Sequence, residues 1–129
     1  MQIDRKHTAL LVIDVLEGAD ADSVYRPTPD EQTMNENCVK VTHAARSAGL
    51  PIIFCDDAHI LGIDKELELW GEHGIAGKTA PIAALEAGSG ERDFIIPKRR
   101  YSGFFGTDLD LTLRELGVTH LIAIGADTN

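Results

Sequence analysis

The sequence predicts an α/β fold: a parallel sheet with helices on both faces. Three observations carry this reading. Strand-sized apolar runs occur at 8–14, 51–55, 93–97 and 119–124. The runs are continuous rather than alternating, as strands covered on both faces are. Helical patterns with start and stop signals separate the first run from the second and the third from the fourth, which is the order of βαβ units.

The elements follow in chain order. Thr8-Ala-Leu-Leu-Val-Ile-Asp14 is the first strand and ends in a carboxylate. Residues 15–29 are polar, contain Gly18, Pro27 and Pro29, and read as a long loop. A helix starts where Thr28 acts as N-cap, Pro29 takes the first helical position and Glu31 completes a capping box. Met34, Cys38, Val41, Ala45 and Ala48 form its apolar stripe. Gly49 suits the residue after the cap, and Pro51 prevents continuation. Pro51 to Cys55 is the second strand, closed by Asp56 and Asp57. Residues 58–78 form a loop region with one short amphipathic segment, Asp64 to Trp70, in which Ile63, Leu67 and Trp70 share a side. A second short helix is expected over 79–85, then a turn at Gly88-Ser-Gly90. Asp93 to Pro97 is the third strand, followed by Lys98 and a Gly/Phe/Tyr-rich loop over 99–106. Thr107 caps the next helix with Asp110 as reciprocal partner; Leu109, Leu113 and Leu116 face inward, and Gly117 ends it. Thr119 to Ile124 is the fourth strand, ending at Gly125.

Composition narrows the function classes. A chain of 129 residues is one domain by size. Its formal charge of −9 repels phosphate backbones, which argues against a nucleic-acid partner. A hydrophobic content of 43% excludes a mainly disordered chain. Cys38 and Cys55 read as buried free thiols of a reducing compartment. The stretch Met1 to His7 has no apolar core of a secretory signal, and no run is long enough to span a membrane, so a cytoplasmic protein is expected. The apolar fourth strand is followed only by Gly125-Ala-Asp-Thr-Asn129. Such a strand rarely ends a domain uncovered, so the single domain over 1–129 is expected to be incomplete at its C-terminal end.

In parallel sheets ligands bind outside the carboxyl ends of the strands. Asp14, Asp57, Lys98 and Gly125 all lie there. The residues after the first strand, Asp14-Val-Leu-Glu-Gly18, do not form a dinucleotide fingerprint, and no P-loop occurs. Asp57-Ala-His59 together with His73 offers nitrogen and oxygen ligands of the kind that suit zinc, iron or manganese. The same residues also fit polar loop positions making ordinary hydrogen bonds. Asp14 and Lys98 can pair across the top of the sheet, either as a poised base with its cation or as a structural salt bridge. Cys55 stands beside two carboxylates, which raise a thiol pKa, and Ser102 has no histidine near it in sequence, so neither is a good nucleophile.

Four segments, in this order, resemble the isochorismatase-like cysteine hydrolases, and specifically their nicotinamidase-related branch. They are TALLVID at 8–14, FCDDAHI followed by ELWGEHGIAG, IIPKRRYSGFFGTDLDLTLRELGV, and LIAIGADTN at 121–129. The resemblance covers nearly the whole chain and implies the three-layer α/β/α fold with strand order 3-2-1-4. It also implies a catalytic aspartate at Asp14 and a catalytic lysine at Lys98. A divalent metal, zinc first with iron or manganese as alternatives, falls on Asp57, His59 and His73. The oxyanion hole and its cis peptide fall at Ala126-Asp127, and Trp70, Phe104 and Phe105 become aromatic walls for a flat ring. In this family the nucleophilic cysteine follows the Thr-Asn pair by a few residues, past Asn129. The implied activity is hydrolysis of a small carboxamide through a thioester, in a homo-oligomer. Leu16 stands where the family commonly has glutamine, the aromatic wall residue after it is absent, and Gly74 stands where nicotinamidases often have cysteine. An isochorismatase-type hydrolase, and a non-catalytic binding or structural subunit, are the alternative readings. The Asp-x-His and His73 pattern argues against the first, and a true end of the natural chain at Asn129 would favour the second.

Overall fold

Apolar strands that bury both faces need a helix layer on each side, and the chain supplies one on each. The computed structural model describes residues 2–126. Strands β1 (Thr8–Ile13), β3 (Ile52–Cys55), β5 (Asp93–Ile95) and β6 (His120–Gly125) form one parallel sheet in the order β5-β3-β1-β6. This is the expected order 3-2-1-4. Leu10 pairs with Ile52 and Ile13 with Cys55 on one side of β1, while Thr8 pairs with His120 and Ile13 with Gly125 on the other.

Side chains alternate across β1 and sort the core into two halves. Leu10 and Val12 pack with Ile52, Phe54, Cys38 and Leu85 beneath helix α1 (Pro29–Ser47). Ala9 and Leu11 pack with Ile53, Cys55, Ile96 and Leu109 beneath helix α3 (Leu109–Glu115). Helix α1 begins as its sequence requires. The Thr28 hydroxyl accepts from Glu31 N at 3.2 Å, and the Glu31 carboxylate accepts from Thr28 N at 2.6 Å. At the other end Gly49 adopts φ +79°, the left-handed residue that stops the helix.

The structure corrects five local expectations. Residues 15–29 are not all loop, because β2 (Leu16–Gly18) pairs antiparallel with β4 (Thr79–Pro81). The stretch 79–85 is therefore not a helix: its first half is β4, and only Ala83–Leu85 turns, as a single 3₁₀ turn. The pairing is non-local, and Glu17 reinforces it by accepting from Ala83 N at 2.8 Å. On α1, Val41 is 42% exposed while Thr42 is fully buried, so the buried stripe turns slightly away from the predicted line. Helix α3 starts one residue late, with Asp108 as N-cap. Thr107 still accepts from Leu109 N at 3.2 Å, but Asp110 pairs with Arg114 at 2.8 Å instead of reaching back to the cap. The short helix α2 (Glu66–Trp70) buries none of its residues, so the side shared by Ile63, Leu67 and Trp70 is not a core face.

β6 pairs only with β1 among the described residues, and its side chains are exposed or half-buried. No helix among them is long and apolar enough to cross a membrane. Phe54 is the largest fully buried side chain and bridges β3 to α1. Phe54→Ala in the full-length protein is expected to cost about 3–5 kcal/mol of unfolding free energy, read as a lowered denaturant midpoint with an unchanged slope.

Candidate active site

The site grows from the way the sheet ends. Beyond β3 and β5 the parallel ladder continues as one isolated bridge between Asp57 and Lys98. Lys98 N donates to Asp56 O at 3.0 Å, and Ala58 N donates to Lys98 O at 2.7 Å. These bonds set Asp57 and Lys98 side by side. On the neighbouring strand Asp14 leaves β1 with φ +50°, a left-handed conformation that aspartate tolerates better than most residues. Side chains take over where the ladder stops: Asp14 N donates to Asp56 Oδ1 at 3.0 Å, and Asp57 N donates to Asp14 Oδ1 at 2.9 Å.

Lys98 is 3% exposed and its ammonium has two carboxylate partners. Nζ lies 3.1 Å from Asp14 Oδ2 and in direct contact with Asp57 Oδ1. Burial alone lowers an ammonium pKa, but the contacts with Asp57 and Asp14 outweigh it and hold Lys98 above its ordinary value. Burial, followed by the charge of Asp57, raises Asp14 against the pull of Lys98. Asp56 is pushed up to about 7 by burial and then by Asp14. The Cys55 thiol goes up to about 11, with burial as the main cause and the three neighbouring carboxylates as additions. Burial, which the position beside two carboxylates does not reveal, is thus the larger cause.

Asp57 also faces the two histidines. Its Oδ2 lies 3.7 Å from His73 Nε2 and its Oδ1 lies 3.9 Å from His59 Nε2. The rings of His59 and His73 meet edge to face with centroids 4.7 Å apart. One ligand atom from each of Asp57, His59 and His73 falls within 4.8 Å of the others. His73 turns its Nδ1 to Gly71 O at 2.8 Å, leaving Nε2 for the centre. Two imidazoles and a carboxylate are a donor set that fits a borderline divalent ion.

Two contributors escaped the sequence reading. Glu66 Oε2 lies 3.3 Å from His59 Nε2, at the edge of the same cluster. Its signal was an acidic residue on the segment between the two histidines. Gly74 is the second. At φ +55° it packs so closely that an added Cβ would lie 2.6 Å from Asp57 Cβ and 2.7 Å from Asp57 O. Glycine is what allows His73 to approach Asp57, and Ile75 N donates to Asp57 O at 3.2 Å just beyond. That contact is a physical reason for this chain to carry no side chain after His73.

A cleft of about 860 Å³ opens over these groups. Asp14, Lys98, Asp57, His59 and His73 all line it. Trp70 and Phe104 line it as well, Trp70 at 77% exposure as part of its rim. Phe105 is exposed and is not among the lining residues. Ala126 lines the cleft, but its N–H already donates to Ile13 O at 3.0 Å and is not free to serve an oxyanion. Asp127, and with it the expected cis peptide, lies outside the described residues.

Two outcomes are expected. Gly74→Ala must push the His73 segment off Asp57, and the affinity of the Asp57, His59 and His73 group for any divalent ion it holds, measured by competition with a chromophoric chelator, should fall by about 10-fold or more. Cys55, 1% exposed with a thiol raised to about 11, should resist iodoacetamide at pH 8 in the folded protein and react once denaturant is added, as read by peptide mapping.

The model of the Isochorismatase domain matches residues 8–129. Ureidoacrylate amidohydrolase RutB of Variovorax paradoxus (strain S110) is 30% identical over 149 residues, covering 95% of this chain and 58% of that protein. The crystal structure of pyrazinamidase/nicotinamidase from Streptococcus mutans UA159 aligns with a TM-score of 0.76 at 31% identity, over 94% of this chain and 72% of that one. N-carbamoylsarcosine amidase from Thermoplasma acidophilum aligns with a TM-score of 0.73 at 31% identity, over 92% and 66%. The chain thus spans between 58% and 72% of the length of these relatives. A domain match over residues 8–129, with structural neighbours at TM-scores of 0.73 and 0.76, has one consequence: the chain belongs to the isochorismatase-like cysteine hydrolase family.

Proposed function

We propose that this hydrolase cleaves a small carboxamide through a thioester, with a cysteine supplied beyond Asn129 joining Asp14 and Lys98. The observation that carries this reading is the Asp14–Lys98 pair, 3.1 Å apart at the strand ends and open to the cleft. Relatives named as a nicotinamidase, a ureidoacrylate amidohydrolase and a carbamoylsarcosine amidase support amide chemistry in general.

The chemistry assigns each group a task. Asp14, raised above the ordinary carboxylate value, accepts the thiol proton. The Lys98 ammonium stabilises the thiolate that remains and the charge that develops on the carbonyl oxygen. The thiolate sulfur bonds to the amide carbon and the π electrons move to oxygen. When the carbonyl re-forms, the C–N bond breaks and nitrogen takes the proton from Asp14 to leave as ammonia. Water then hydrolyses the thioester, with Asp14 again receiving and returning a proton. Asp57, His59 and His73 would hold a divalent ion, which when bound supplies a Lewis acid that orients a ring nitrogen. Trp70 and Phe104 give that ring apolar faces.

Nicotinamide is the first substrate to try, since a flat ring can lie between the metal cluster and the Asp14–Lys98 pair. The ureido and carbamoyl amides of the two other relatives are the second choice. The test measures ammonia release by the full-length, zinc-replete protein from nicotinamide, pyrazinamide, ureidoacrylate and N-carbamoylsarcosine. Lys98→Ala and Asp14→Asn should each reduce kcat/KM for the active substrate by at least about 100-fold. Full activity in either variant would move the chemistry away from this pair. Ammonia from the ureido or carbamoyl compounds alone would replace the nicotinamidase reading with the second choice.

A further inference from the structure

His59 has one ring nitrogen in use at the cluster and one without a partner. Its side chain is 1% exposed, and its Nδ1 is buried with no hydrogen-bond partner. Asp64 Oδ2 lies 3.9 Å from that nitrogen. Asp64 is itself a buried carboxylate, and it is held rigidly. Arg99 grips both oxygens, Nη2 to Oδ1 at 2.6 Å and Nε to Oδ2 at 3.1 Å. Arg100 Nη1 donates to Oδ1 at 3.3 Å, and Ile60 N donates to Oδ2 at 2.7 Å. Nothing in the amide chemistry uses this clamp, although both arginines directly follow Lys98.

We propose that Asp64 is the positioning residue of the metal cluster: it accepts the Nδ1–H of His59 and so fixes the tautomer whose Nε2 lone pair faces Asp57 and His73. An imidazole that ligates through one nitrogen must carry its proton on the other, and a carboxylate on that proton fixes the ring orientation and raises ligand basicity. The geometry is nearly made. Closing 3.9 Å to hydrogen-bond length takes a shift of about 1 Å. The opposite tautomer would give Nε2–H a partner in Glu66 Oε2 at 3.3 Å, but it would remove the lone pair that faces Asp57 and His73 and leave the buried Nδ1 lone pair against Asp64. The clamp also ties the segment after Lys98 to the loop that carries His59. The inference rests on the metal reading of Asp57, His59 and His73, and it adds Asp64, Arg99 and Arg100 to the apparatus that holds them.

The test has a reading that needs no variant. In ¹⁵N-labelled full-length protein freed of metal, the two-bond ¹H–¹⁵N pattern of the His59 ring shows which nitrogen carries the proton. The Nδ1–H tautomer is expected; the Nε2–H tautomer would overturn the proposal. In Asp64→Asn the single remaining acceptor oxygen is shared among Arg99, Arg100 and Ile60 N. Zinc affinity, read by chelator competition, is expected to fall about 10- to 100-fold while the melting transition stays cooperative. Affinity within twofold of wild type would overturn the proposal. If Asp64→Asn does not fold, the wild-type tautomer decides. A wild-type protein that binds no zinc would overturn the metal reading and the role of Asp64 together, whereas silence across the amide panel touches neither.

Discussion

A buried ammonium with two carboxylate partners organises this molecule. Lys98 is almost fully buried between Asp14 and Asp57 at the ends of three neighbouring strands. A charge so placed is tolerated only when paired, and removing one partner of a buried pair typically costs about 3–5 kcal/mol. The three residues therefore hold one another in place. Asp14 sits in a left-handed turn because its N–H and its carboxylate are both tied to the Asp56-Asp57 segment. Asp57 lies beside Lys98 because the β3–β5 ladder extends by one bridge. Asp57 then spans two clusters, with one oxygen on the ammonium and the other toward His73. Anything that moves this carboxylate moves both halves of the cleft.

Backbone approach sets how tightly the halves can be joined. Gly74 lets the second histidine segment touch Asp57, and Gly125 does the same at the end of β6. At Gly125, φ is +123° and an added Cβ would lie 1.9 Å from Ile13 O. Ile13 O is also the acceptor for Ala126 N. The chain thus leaves β6 pressed against the end of β1, next to Asp14. Side chains at either glycine would part the segments that carry the reactive groups.

The sheet, the main helix and the strand-end charges were legible in the sequence because each has a local cause. Continuous apolar runs, the Thr28 capping box and the Gly49 stop are written within a few residues of where they act. The β2–β4 pair was not legible, because two three-residue strands far apart in sequence have no periodicity of their own. Pro81 and the small residues around it look like a helix start until a partner strand takes the hydrogen bonds. At the site, Asp14, Lys98, Asp57, His59 and His73 could be named from strand-end position, ligand chemistry and the family pattern, and they line one cleft. The Lys98–Asp57 contact, the place of Glu66 and the Asp64 clamp could not, since each depends on how loops fold over one another. Phe105 shows the converse: an aromatic residue in the right loop is exposed and does not line the cleft that its neighbour Phe104 lines.

The cleft already contains a thiol, and its surroundings make it a poor nucleophile. Cys55 lines the cleft beside the Lys98 ammonium, whose field favours a thiolate. Burial opposes ionisation more strongly, and the carboxylates of Asp56, Asp14 and Asp57 oppose it further. The sulfur is also part of the packing: it sits with Ile53, Ile96 and Leu109 under α3, and an added Cβ on Gly103 would lie 2.9 Å from it. A nucleophile needs the same ammonium without the same burial. The Asp14–Lys98 pair lines the cleft, as does Ala126 just after β6. In the proposed reaction the nucleophilic thiol reaches the same ammonium through the cleft, where ionisation costs less than within the Cys55 packing and an amide carbonyl can enter.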